Sequence, residues 1–195
     1  MDLAEEFAQM ALRLHDEATP EDTVERVVDH ALKAVSCAYA GVTLVHGRRR
    51  VETAAATHPL VAEIDRIQME CGEGPAKDAR EEQHSVLVED TRLEPRWPVW
   101  AARVAETGVR SVLSVRMYTS AATLGTLNLY DDQPGRFDAD DQAVASALAR
   151  HAAVALASVR QHANLWQAID ARKLVGQAQG ILMERFGLTD DQAFA

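Results

Sequence analysis

Cysteine is scarce in this chain, with Cys37 and Cys71 the only two in 195 residues. No CxxC or Cys/His cluster accompanies them, so they make neither a disulfide framework nor a zinc site and read as inert core or turn thiols. The histidines, at 15, 30, 46, 58, 84, 151 and 162, lack any metal-ligand spacing, and no metal is expected. Nucleophile-elbow, Walker and kinase signatures are missing, as are a nucleotide loop and receiver acids. These absences predict a protein that is not an enzyme. No run of about 18 apolar residues occurs, and the opening Met1-Asp2-Leu3-Ala4-Glu5-Glu6 has no basic region of a signal peptide. The expected location is the cytoplasm, without membrane contact.

Positive charge is also in short supply. The net charge is −10, which opposes non-specific nucleic-acid binding by the body of the protein. The deficit is uneven: from residue 160 onward Arg160, Arg172, Lys173 and Arg185 balance Asp170, Glu184, Asp190 and Asp191. Any contact with a polyanion therefore belongs to the C-terminal end.

Proline is absent from Phe137 to Arg185, and this stretch organises the chain. Asp138, Asp140 and Asp141 suit the positive end of a helix dipole. Leu148, Ala152, Ala155, Val159, His162, Trp166 and Ile169 follow by alternating steps of four and three, the spacing of a coiled-coil seam, and predict a dimer seam. One helix of this length reaches roughly 70 Å at ~1.5 Å per residue. The apolar stripe changes phase between Ile169 and Leu174, which predicts a stutter or local break.

Upstream, Leu3, Phe7, Met10, Ala11 and Leu14 share one helical face, and Thr19-Pro20-Glu21-Asp22 begins a second helix with a cap, a first-turn proline and an acid. Tyr39–Val45 and Val51–Ala56 form a hairpin whose Arg48-Arg49-Arg50 tip reads as solvated. A short helix over Val61–Met69 leads to Cys71-Gly72-Glu73-Gly74-Pro75, a turn needing positive φ or close approach. Helix Ala76–Arg80, strand Ser85–Glu89, helix Val99–Thr107, strand Val109–Met117 and strand Leu124–Tyr130 complete five antiparallel strands. Trp97 and Trp100, beside Pro95 and Pro98, line a ligand pocket or pin their loop to the core, and the anchor is the favoured reading. With Met69 and Met117 they are the ligand-pocket candidates.

The order of the hairpin, the Gly-Glu-Gly-Pro turn, Ser85–Asp90, Arg96-Trp97-Pro98, Gly108–Ser114 and Gly125–Tyr130 resembles a GAF domain. The resemblance covers residues 1–160 and implies an α+β fold, a twisted antiparallel sheet flanked by helices, acting as a small-molecule sensor or dimerisation module. Its ligand, and any cofactor, is not named by the sequence. Free methionine-(R)-sulfoxide reductases share that fold, but their chemistry needs a thiol after the glycine turn, where this chain has Ala76.

Ala168–Arg185, followed by Asp190-Asp191-Gln192-Ala193-Phe194, is similar to the opening of an ANTAR domain, a three-helix RNA-binding module that promotes antitermination. GAF followed by ANTAR is a familiar actinobacterial pairing. The resemblance makes Arg172, Lys173, Gln177 and Arg185 the RNA-binding candidates, while Gln179 replaces the lysine of many members. Residues 161–195 are thus expected to hold a coiled-coil linker and an incomplete ANTAR-like module. Because the sequence reaches only the expected second helix, RNA binding by this chain is expected to be weak or absent. The leading expectation is a cytosolic, signal-responsive antitermination regulator acting as a homodimer. The alternative is a GAF dimerisation or ligand-binding scaffold without RNA binding.

Overall fold

The computed structural model describes residues 19–47, 50–82, 85–187, 189 and 192, without the side chains of 82, 162–170 and 180. The helix expected over Leu3–Leu14, Arg48 and Arg49 of the hairpin tip, and Phe194 lie outside the described residues. The elements run α1 (Pro20–Val35), β1 (Tyr39–His46), β2 (Arg50–Ala56), α2 (Pro59–Cys71), α3 (Pro75–Glu82), β3 (Ser85–Val88), α4 (Pro98–Glu106), β4 (Ser111–Tyr118), β5 (Thr123–Asp131) and α5 (Ala139–Phe186).

The strands form one antiparallel sheet in the order β2-β1-β5-β4-β3. Side chains alternate across its faces. One phase, including Val42, Leu44, Leu113, Val115, Met117, Leu127 and Leu129, packs with α1 and the first half of α5. The other, including Val86, Val88, Val112 and Tyr130, packs with α2 and α4. Both faces are covered, so the central strands bury residues of both phases, each large apolar side chain adding roughly 1.5–3 kcal/mol.

Local chemistry sets the ends of the elements. Thr19 caps α1 by accepting the Asp22 N–H at 3.1 Å, and Pro20 takes the first turn, where no N–H is required. Asp138 and Asp141 form a reciprocal capping box on α5. Arg136 donates to Asp141 at 3.0 Å and to the Val35 carbonyl at 2.6 Å, tying the start of α5 to the end of α1. The glycine turn takes the left-handed backbone its sequence predicts, with φ of 67° at Gly72 and 136° at Gly74.

Two features of α5 bear on what its sequence predicts. The helix runs unbroken through residues 169–174, so the phase change of its apolar stripe produces no break. By length and composition Ala139–Gln161 is also apolar enough to cross a membrane, although no contiguous apolar run marks it. The reason is its alanine content: Ala145, Ala149, Ala152, Ala153 and Ala155 let the helix lie close on the sheet, and all are buried there.

Candidate functional site

The face of the sheet beneath α2 and α4 carries the polar interior of the protein. Thr43, Ser114, Thr126 and Asn128 occupy strand positions opposite in phase to Val42, Val115, Leu127 and Leu129, and all four are buried. Thr43 and Thr126 are cross-strand partners whose hydroxyls meet at 2.7 Å. Ser114 and Asn128 are likewise directly opposite each other on β4 and β5. Their polar atoms, Ser114 Oγ, Asn128 Nδ2 and Asn128 Oδ1, have no hydrogen-bond partner among the described residues, nor does Trp100 Nε1 above the same face. Each such buried group left without a partner costs roughly 1–3 kcal/mol, which makes the row a candidate for meeting a polar partner.

Asp65 of α2 is buried beside this row. It accepts from Thr53 Oγ1 at 2.8 Å and from the Tyr130 hydroxyl at 3.3 Å. Burial pushes its carboxyl up to about 6, against the opposing effect of those two hydrogen bonds. Burial, with the Asp65 charge added, also holds the Tyr130 phenol well above its ordinary range. Thus a carboxyl that exchanges its proton near neutrality sits against the sheet.

Trp97 and Trp100 are both buried and meet edge to face, with ring centroids 5.9 Å apart. Trp97 Nε1 donates to Asp78 at 3.1 Å, and the Arg96 guanidinium lies 4.4 Å over its ring. Glu73 of the glycine turn accepts the N–H groups of Val99 and Trp100 at 2.9 and 3.0 Å, capping α4 from a distance. The pair is therefore an anchor, with Trp100 also presenting its N–H to the polar face. The other two pocket candidates fall elsewhere. Met69 is 47% exposed on α2. Met117 is buried on the opposite side of the sheet, with α1 and α5.

The two thiols belong to different clusters, Cys37 to the core with α1 and α5 and Cys71 to the edge of the cluster beneath α2 and α4. Burial pushes Cys37 up to about 11, while Cys71 is half-buried, with Arg103 donating to its sulfur at 3.5 Å. Among the described residues no cluster of His, Cys, Asp or Glu stands ready for a metal ion.

Along α5, Leu148, Ala152, Ala155 and Val159 are buried within this domain. The first three join the core beneath the sheet rather than facing a second copy. A four-three spacing marks an apolar stripe but does not say which surface covers it. The side chains of His162, Trp166 and Ile169 lie outside the described residues. Farther on, Arg172, Lys173, Gln177 and Arg185 are all exposed. At ~100° per residue the first three fall within about 140° of helix circumference, whereas Arg185 lies on the side of Leu174, Ala178 and Ile181.

Sequence reasoning missed Asp65, Ser114 and Asn128. A signal existed for Asp65, which follows Val61 by four residues on the apolar stripe of α2 and so lands on its buried face.

The solved structures with this fold include three of low identity. Free methionine-R-sulfoxide reductase from Neisseria meningitidis, bound to its substrate, superimposes with a TM-score of 0.65 at 19% identity, covering 80% of this chain and 89% of that one. The GAF domain of a phosphoenolpyruvate-protein phosphotransferase from Coxiella burnetii gives a TM-score of 0.65 at 16% identity, covering 83% and 96%. The GAF domain of the cyanobacteriochrome TePixJ gives 0.64 at 16% identity, covering 75% and 94%. No curated protein matches the chain in sequence. The GAF domain family matches residues 17–157 and the ANTAR domain family residues 163–195. The chain thus belongs to the GAF domain family, with an ANTAR domain following on the same long helix.

Proposed function

We propose that this protein is a cytoplasmic, signal-responsive antitermination regulator, in which a small molecule held by the GAF domain changes how α5 presents the ANTAR segment to RNA. The observation that carries this reading is the continuity of α5. Its first half is core of the sensor and its second half, Ala171–Phe186, holds the exposed Arg172, Lys173 and Gln177. Ligand binding is assigned to the buried row of Ser114 and Asn128, with Trp100 Nε1 and Asp65 beside it. No catalytic step enters this reading. A second copy of the chain is the proposed partner, meeting it through a surface other than Leu148–Val159.

RNA binding is tested by electrophoretic shift of the full protein with a two-hairpin RNA at rising salt. The expected complex weakens with salt, and exchanging Arg172 and Lys173 for glutamate removes it, because every phosphate the protein no longer neutralises lowers the log–log salt slope by ~0.7 on single-stranded RNA. A shift that ignores both salt and the double substitution overturns the RNA assignment.

A further inference from the structure

With the ligand placed at the buried row of β4 and β5, as the reading above has it, the atoms of the row restrict what that ligand can be. Asn128 and Ser114 stand opposite each other and are 0% and 1% exposed. Their row is bounded on both sides. Opposite Asn128 on β1 stands Gly41, where an added Cβ would collide with Val61 Cγ1, so α2 lies directly against the sheet at that point. Opposite Ser114 on β3 stands Val86, itself buried. Between those limits lie only β5 and β4, ~5 Å apart, which suits a molecule of a single ring. Above them packs α3, whose buried Ala76 and Ala79 have no polar side-chain atom to offer.

The unpartnered atoms of this face are of both kinds. Asn128 Nδ2 and Trp100 Nε1 donate, Asn128 Oδ1 accepts, and Ser114 Oγ does either. A cation brings donors alone and would leave both N–H groups as they are. Asp65 does not call for one, since its two oxygens already accept from Thr53 and Tyr130. An anion brings acceptors alone and would leave Asn128 Oδ1 unpaired. It would also lie deep in the protein without a counter-charge, because the buried charged residues, among those described, are the acids Asp65 and Asp131. Arg116, next along this face of β4, is half-buried and turns instead to Thr123 Oγ1 at 2.9 Å and to the Tyr118 ring at 4.9 Å. Both edges of the Asn128 carboxamide are met by a group with N–H and C=O side by side. An open-chain secondary amide is trans and points the two apart, whereas a ring holds them cis.

We infer that the row holds an uncharged, single-ring amide or imide, its N–H and C=O paired with the Asn128 carboxamide, the Ser114 hydroxyl beside them, and its apolar edge against Val86, Val112 and Ile64. Molecules that must bury a phosphate or carboxylate are excluded from this place.

Titration of the full chain, followed by proton–nitrogen NMR, tests this with three probes. They are 2-pyridone, N-methyl-2-pyridone as the same ring without the donor, and benzoate as an anion of similar size. The expected result is a saturable shift of the Asn128 side-chain amide and the Trp100 indole with 2-pyridone. The other two should bind at least ~10-fold more weakly, because a site built to hydrogen-bond a group rejects the analogue that leaves its own atoms unpaired. Read on the Trp100 indole, Asn128→Leu should weaken 2-pyridone at least ~10-fold and Ser114→Ala at least ~3-fold, and the second variant decides if the first does not fold. Binding of benzoate or N-methyl-2-pyridone as tight as that of 2-pyridone, and weakened by the same substitutions, overturns the chemistry inferred while leaving the row as the ligand site. No shift with any probe, or shifts that survive the substitutions, overturns the row as the ligand site and the inferred chemistry with it.

Discussion

The two halves of α5 follow different rules although they are one helix. In the first, Leu148 and Leu156 are buried with five alanines between residues 145 and 155. In the second, Leu174 is 66% exposed, Ile181 61% and Phe186 64%. Tertiary burial holds the first half helical, while the second, as described, relies on local propensity and the Gly187 cap. The contrast shows that helix length says little about what supports each turn.

The sharpest way to break this contrast is to truncate one leucine in each half. Leu156→Ala should lower the urea unfolding free energy by ~3 kcal/mol, because it leaves a cavity in a closed core, whereas Leu182→Ala should change it by no more than ~0.5 kcal/mol. Equal losses would mean that the second half is buried against something in solution.

A second test concerns pH and belongs to the body alone. The folded Asp65 carboxyl titrates near 6, above its unfolded value near 3.8. Its proton is therefore held more tightly in the folded state, and the associated stability is complete below pH ~4 and disappears as pH rises through ~6. Unfolding free energy should fall between pH 5 and pH 8 by ~1.4 kcal/mol, and Asp65→Asn should flatten this fall. An unchanged pH profile in the variant would place the titration elsewhere.

Within the second half, Gly176 meets no heavy atom where a Cβ would stand. Gly176→Ala should stabilise the local helix by ~1 kcal/mol, seen as slower amide exchange over residues 171–186 with no change in the unfolding midpoint of the body. The smallest effect is expected at Ser114, whose buried hydroxyl lacks a partner among the described residues. Ser114→Ala should leave the ligand-free protein unchanged or up to ~1 kcal/mol more stable by chemical denaturation. A clear loss would reveal a bond that the hydroxyl makes.

Much of the architecture was legible because its signals are local. Thr19-Pro20, the glycine turn and Asp138–Asp141 each announce an element end through side chains a few residues apart. The alternation of Thr126-Leu127-Asn128-Leu129-Tyr130 likewise announces a strand. What this pattern withholds is that both phases are buried, which depends on helices distant in sequence covering the second face. For the same reason Met117 stands beside Trp97 among the pocket candidates in sequence, although strand phase puts it on the other side of the sheet. The stripe from Leu148 to Val159 read as a seam between chains because periodicity is blind to whose surface it meets. Asp65 carries a charge of the kind that usually faces water, while its position in the stripe of α2 points inward.

The unbroken course of α5 also has a mechanical consequence. A rod fixed along its first half acts as a lever, and from Gln161 to Phe186 its free arm is ~38 Å at ~1.5 Å per residue, so a tilt of ~5° at the sheet moves the far end by ~3 Å. Such a displacement is comparable to a hydrogen-bond length. Rearrangements too small to disturb the core are therefore large enough to make or unmake contacts at the distal end.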